Sequence, residues 1–272
     1  MEWGPTGATA VAADVTVVVD ILSFTTTVTI AVDRGMTVLP LAWKDDRAVA
    51  YAAARDAVLA VGRLEALDPP GGISLSPAAM VSAEAGPAQR IVLPSPNGSR
   101  IAFALAETGA SVVAASLRNA TAVAGHLATL IRSGATCAVV AAGERWPDGS
   151  LRPCVEDLWG AGAVIAGLTD LGVTGHSVEA RVAEAAFRVV RPRIGTELAA
   201  CAGGIELDAA GFAADVEVAG QLDVTSVRAC APRRGVRPGL SRGPRRDHEG
   251  LSLAKGLVVP LAGPYCEGSH IG

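Results

Sequence analysis

A chain of 272 residues, half of them hydrophobic, can bury an ordinary core as one large α/β domain or two smaller ones. A net charge of −4 and a pI near 5.6 argue against nucleic acid as a partner. No apolar run approaches the ~18 residues of a membrane span, and Met1-Glu2-Trp3-Gly4-Pro5 is not a basic-then-apolar leader, so neither a membrane nor export is implied and the expected compartment is the cytoplasm. Residues 15–20 are a β-branched run, 25–32 read as a helix, 37–41 as a second strand and 45–59 as an alanine-rich amphipathic helix. Strand and helix then alternate at 90–93 and 101–107, 111–115 and 121–131, 136–142 and 155–168. Such alternation, with strands apolar throughout, predicts an α/β fold: a largely parallel or mixed sheet with helices on both faces and ligands at the strand carboxyl ends.

Asn119 and Thr196 suit helix caps. From Ser177 the pattern turns helical, over 178–190, 197–202 and 212–221, with Gly203-Gly204 and Gly211 read as breaks. The expected unit therefore spans 1–227, with a subdomain boundary possible in composition terms near 172–177. Residues 228–272, rich in arginine, proline and glycine, read as a weakly ordered tail, of which about 233–272 are expected to add little to the core, with one short edge strand at 257–261.

Between the strand at 90–93 and the helix at 101–107 stands Pro94-Ser95-Pro96-Asn97-Gly98-Ser99. A glycine-bearing strand-to-helix turn leaves backbone N–H groups unpaired and pointing one way, which suits a phosphate. Arg100 adds a planar fork. Earlier, Ser23-Phe24-Thr25-Thr26-Thr27 carries hydroxyls into a helix, either to cap it or to donate to phosphate oxygens.

Acidic residues fall at strand ends: Asp20, Glu144, Asp148 and Glu156-Asp157. In a parallel sheet these share one edge, where carboxylates can hold magnesium through oxygen ligands and water. Competing readings exist for Glu156, as complement to a helix dipole, and for Asp148, as an ordinary turn residue. Asp20 closes an apolar strand and is desolvated unless something pairs it.

Several chemistries are excluded. Two beyond Asp20 stands Leu22 rather than a second aspartate, no cysteine has arginine six residues on, and no G-x-x-x-x-G-K-[ST] loop exists. His126, His176, His248 and His270 form no cluster, and the five cysteines are odd in number with no C-x-x-C pair, which fits reduced thiols.

Taken together, Val18-Val19-Asp20-Ile21-Leu22 with Thr25-Thr26-Thr27, Ser76-Pro77, the Ser95 to Arg100 turn, Ser116-Leu117-Arg118-Asn119-Ala120, Gly143-Glu144, Glu156-Asp157 and the later Glu206-Leu207 and Asp215-Val216 occur in the order seen in 2-phosphosulfolactate phosphatases. The chain resembles that family over roughly residues 15–227. The resemblance implies a magnesium-dependent hydrolase that removes phosphate from a small sulfonated 2-hydroxy acid, a step of coenzyme M synthesis. By position it implies catalytic Asp20, Asn97 and Glu144, and metal ligation by Asp20, Glu156, Asp157 and Asp215. Thr25, Thr26, Gly98, Ser99, Arg100 and Arg118 would lie at the substrate.

Ser23 stands where the first motif commonly has arginine, Leu75 where it has asparagine, and Ile205 where a second arginine is usual. Two cationic clamps are therefore missing, and the expected substrate is a smaller or less charged ester than phosphosulfolactate, unless Arg118, Arg145 or Arg152 substitutes. A non-catalytic anion-binding protein on the same fold is the alternative, and homo-oligomerisation is left open.

Overall fold

The computed structural model describes residues 1–11, 13–63, 65, 73–84 and 89–231. In chain order its elements are β1 (Glu2–Trp3), α1 (Gly4–Ala10), β2 (Val15–Val19), α2 (Phe24–Asp33), β3 (Thr37–Leu41), α3 (Asp46–Ala53), β4 (Val58–Leu59), α4 (Pro77–Ser82), β5 (Arg90–Pro94), α5 (Gly98–Glu107) and β6 (Ser111–Ala115). There follow α6 (Ala120–Arg132), β7 (Cys137–Ala141), β8 (Glu144–Arg145), β9 (Leu151–Arg152), α7 (Val155–Asp170), α8 (Val178–Val190), α9 (Ile194–Ala200), α10 (Ala202–Ala209), α11 (Ala213–Ala219) and β10 (Ala229–Ala231). The α/β class, the mixed and mostly parallel pairing and the helical C-terminal region are as the sequence implies.

The strands divide into two main sheets rather than one. The larger runs β1-β7-β2-β6-β10, parallel except for β10; the smaller runs β3-β5-β4, all parallel. Side-chain alternation assigns the faces. Val15, Val17 and Val19 of β2 join α6, α7 and α8 in one core, whereas Val18 faces a second core built from α2, α4 and α5 with Val38, Ile91 and Leu93 of the smaller sheet. Leu39, Leu41 and Val92 pack outward against α3.

Helices α2 and α5 therefore lie between the two sheets. Every residue of α2 but the last is buried, and its threonines each find a partner: Thr27 Oγ1 donates to Leu75 O, Thr29 Oγ1 to Thr25 O. On the other face, α7 fits tightly because it carries glycines where neighbours come closest. A Cβ on Gly160 would lie 2.5 Å from Ile21 Cδ1, and one on Gly162 would lie 2.1 Å from Ala183 O of α8.

Three local expectations are corrected. The helix expected over 45–59 stops at Ala53, because Asp56 takes a positive φ of 49° and turns the chain into Val58 and Leu59, which pair with β5. Gly203-Gly204 does not break a helix but lies inside α10; a Cβ on Gly204 would meet Leu198 O at 2.0 Å, so glycine serves the close approach of α9. Thr196 lies within α9 rather than capping it, and Asn119 stands at the N-cap position of α6 without a side-chain cap bond, its Oδ1 accepting instead from Ser116 N at 2.8 Å in the turn before the helix.

The stretch 172–177 joins two helices that pack against each other, α7 and α8. At the C-terminal end the chain stays in the larger sheet through β10, with Cys230 opposite Val113. Residues 232–272, including the edge strand expected at 257–261, lie outside the described residues. No helix among the described residues is long and apolar enough to cross a membrane.

Candidate active site

Parallel pairing of β2, β6 and β7 brings their carboxyl ends to one edge, and the residues just beyond them build the site. Asp20 follows β2 directly. Its Oδ1 accepts the backbone N–H of Phe24 at 3.1 Å, and its Oδ2 that of Gly98 at 2.8 Å, so the first turns of α2 and α5 both aim at this carboxylate. Gly98 is required by contact: a Cβ there would sit 2.5 Å from Asp20 Oδ2 and 2.7 Å from Phe24 Cδ1.

Asp157, in the first turn of α7, performs a similar task for the strands. Its Oδ1 accepts from Ile21 N at 2.7 Å and its Oδ2 from Gly143 N at 2.8 Å, tying together the segments that leave β2 and β7. Glu144 begins the β8–β9 hairpin, and its Oε1 accepts Asn97 Nδ2 at 2.8 Å across 47 residues of sequence. Glu156 is buried beside Cys201, whose thiol reaches its Oε2 at 3.5 Å, and a Cβ on Gly203 would approach Glu156 Oε1 to 2.5 Å.

Asp20, Asn97, Glu144, Glu156 and Asp157 line one cavity of about 340 Å³, with Arg63, Arg152 and Glu206 in the same wall. A larger cavity of about 720 Å³ lies between α1 and α5, mostly apolar and with no acidic residue in its lining. The smaller one is where ionic chemistry is concentrated.

Burial pushes the Asp20 carboxyl from its ordinary 3.8 up to about 6; the Gly98 and Phe24 N–H bonds offset part of this, and the nearby Glu144 charge adds to it. Asp157 is raised well above 3.8 by burial and by the charges of Asp20 and Glu156. Burial and the Glu156 charge also push the Cys201 thiol up to about 12, and Cys154 is raised in the same way, so neither offers a thiolate nucleophile at neutral pH.

A carboxyl that binds its proton more tightly folded than unfolded contributes stability fully below its unfolded value near 3.8, and loses it as pH rises through about 6. Ionised Asp20 is thus the less stable form of the folded protein when no cation is bound. In chelator, the melting temperature of the wild type is expected to fall relative to that of Asp20→Asn as pH rises from about 4 to about 7. Curves that stay parallel would contradict this electrostatic picture.

The remaining sequence candidates are distributed as follows. Thr25 and Thr26 are fully buried and donate to Asp20 O and Ile21 O, serving the turn rather than facing the cavity. Ser99 Oγ accepts from Leu41 N at 2.7 Å and lies within donating distance of Leu93 O, joining β3, β5 and α5. Arg100 lines the larger apolar cavity, and Arg118 is turned to Val218 O and Gln221 Oε1. Asp148 caps its own hairpin turn through Ser150.

Asp215 lies outside the lining of the smaller cavity, where it accepts from Ala78 N at 3.1 Å, Ser76 Oγ and Arg63 Nε. Arg63 itself was not marked by any sequence signal; it follows a short strand read as helix. Arg152, considered only as a substitute cation, forms a paired contact with Glu206 at 3.2 and 2.7 Å.

A family model described as 2-phosphosulpholactate phosphatase matches residues 6–229. A protein of Deinococcus radiodurans named probable 2-phosphosulfolactate phosphatase is 32% identical over 212 residues, covering 78% of this chain and 85% of the relative. The matched span runs from α1 to β10 and carries every carboxylate of the cavity. The chain belongs to the 2-phosphosulfolactate phosphatase family.

Proposed function

We propose that this phosphatase-family protein hydrolyses the phosphate monoester of a small 2-hydroxy acid, 2-phosphosulfolactate or a less charged relative, with magnesium as cofactor. The observation that carries the reading is the imbalance of the cavity wall: Asp20, Glu144, Glu156, Asp157 and Glu206 stand against Arg63 and Arg152. A dianionic phosphoester entering that field is repelled unless a divalent cation enters with it.

The donor set fits magnesium. Its oxygens are hard carboxylate ligands, and Glu156 and Glu144 each keep one oxygen with little engagement by the protein. Among the described residues no three Asp, Glu, His or Cys side chains converge as a ready metal cage. That suits an ion held by one or two carboxylates, the rest of its sphere being water and substrate oxygen. Asp20 and Glu156 would hold it, and when bound it would supply charge neutralisation at the phosphoryl group and acidify a ligand water.

The protein's own groups supply the rest. Gly98 N–H and Phe24 N–H fix Asp20, and Asn97 fixes Glu144. Glu144, half-buried and oriented, would take the proton of a water that attacks phosphorus as the ester P–O bond breaks, and would return it to the leaving alkoxide, which departs as the alcohol. Phosphate release from phospholactate, phosphoglycolate and phosphosulfolactate is expected to need magnesium and to cease in chelator. Full turnover in chelator would refute the cofactor. A phosphate-induced rise in melting temperature with no turnover at any magnesium concentration would instead assign the chain to non-catalytic anion binding.

A further inference from the structure

Resting on the phosphatase reading above, we propose that Arg63 determines substrate specificity by receiving the non-transferring acid group of the phosphoester, a carboxylate or sulfonate, with Asp215 as its positioning residue.

Arg63 lies two residues beyond Val61, which bridges to Ser74 near the start of α4. Its Nε donates to Asp215 Oδ2 at 2.6 Å. Asp215 is 1% exposed, and its other oxygen is held by Ser76 Oγ and Ala78 N, so the guanidinium is anchored through α4 and α11 together. The Phe212 ring lies under it, 5.8 Å from centroid to Cζ.

The anchoring leaves capacity unused. Arg63 Nη2 is enclosed and has no hydrogen-bond partner among the described residues. An orphaned donor on a buried cation is costly unless a ligand completes it. The other nitrogen-bearing side chains of the wall are already committed: Arg152 to both oxygens of Glu206, and Asn97 to Glu144. Among the described residues of this wall Arg63 is therefore the cation with an unpaired guanidinium donor, and it shares the wall with Asp20 without being bonded to it. With the phosphoryl charge met at the carboxylate-held metal, a single fixed guanidinium across the cavity complements one further negative group.

The test compares phosphoglycolate, which carries a carboxylate, with ethyl phosphate, which does not. The readout is the ratio of their kcat/KM values in wild type, Arg63→Met, Arg63→Lys and Asp215→Asn. The ratio is expected to fall at least about 30-fold in Arg63→Met, mainly through KM for phosphoglycolate, and by less in Arg63→Lys, which keeps charge but not the fork. Asp215→Asn is expected to raise KM for phosphoglycolate selectively. Should Arg63→Met leave buried Asp215 uncompensated and fail to fold, the double variant Arg63→Met/Asp215→Asn gives the same ratio. A ratio unchanged in a folded variant overturns the proposal and leaves the pair as a structural staple. If the wild type releases phosphate from neither ester, the phosphatase reading falls separately. Arg63 is then read by melting temperature with sulfoacetate: a rise in wild type that is lost in Arg63→Met supports the clamp, and an equal rise in both, or none in wild type, overturns it.

Discussion

Replacing Asp20 with asparagine is expected to lower kcat/KM for magnesium-dependent phosphate release by at least about 10³-fold. The carboxylate is buried at the strand end, accepts one N–H from each of two helix starts, and shares its cavity with four further carboxylates. Asparagine keeps the shape but removes the charge that draws a cation. Its amide nitrogen must also face one of the two N–H groups, donor against donor, which costs about 1 to 3 kcal/mol. Against that stands relief of the desolvated charge, so the variant is expected to remain folded at neutral pH. Steady-state phosphate release at saturating magnesium, with a melting curve beside it, reads both effects. A folded variant with near wild-type turnover would remove Asp20 from the chemistry.

The carboxylate edge was legible because parallel strands place their ends together: once residues 15–20 and 136–142 read as strands, Asp20, Glu144 and the Glu156-Asp157 pair had to share a side. What no local pattern reveals is the second sheet. Thr25 and Thr26 invite a phosphate-binding reading, yet α2 is covered on both sides, and an enclosed hydroxyl must take the nearest carbonyl. Arg100 illustrates helical geometry overriding adjacency. Gly98 faces Asp20, and two residues on the helix has turned about 200°, which carries Arg100 to the opposite cavity. Arg63 was invisible for another reason: its partner Asp215 is 152 residues away, and the short strand before it, Val58–Leu59, continues an alanine-rich helical pattern.

Gly98→Ala is expected to damage both fold and catalysis. The backbone there is not in the left-handed region, so the effect is steric alone. The added Cβ would lie 2.5 Å from Asp20 Oδ2, 2.7 Å from Phe24 Cδ1 and 2.8 Å from Asp20 Cβ. Phe24 is fully buried and Asp20 is held by two N–H groups, so neither side chain is a loose end that can swing away. Relief must come from a shift of α5 or of Asp20 itself. Overpacking of this kind costs about 1 to 3 kcal/mol, and a displacement near 1 Å at a reacting carboxylate lowers the rate by about 10²-fold. Gly125→Ala in α6 is the matched control: nothing lies within 4 Å of a Cβ built there, and exchanging glycine for alanine inside a helix adds about 0.5 to 1 kcal/mol of stability. The pair separates contact from composition. Loss of activity and of melting temperature at residue 98, with a slight gain in stability and unchanged turnover at residue 125, is the outcome the close approach of α5 to Asp20 requires; an active, stable Gly98→Ala would show that the first turn of α5 does not hold the Asp20 carboxylate in place.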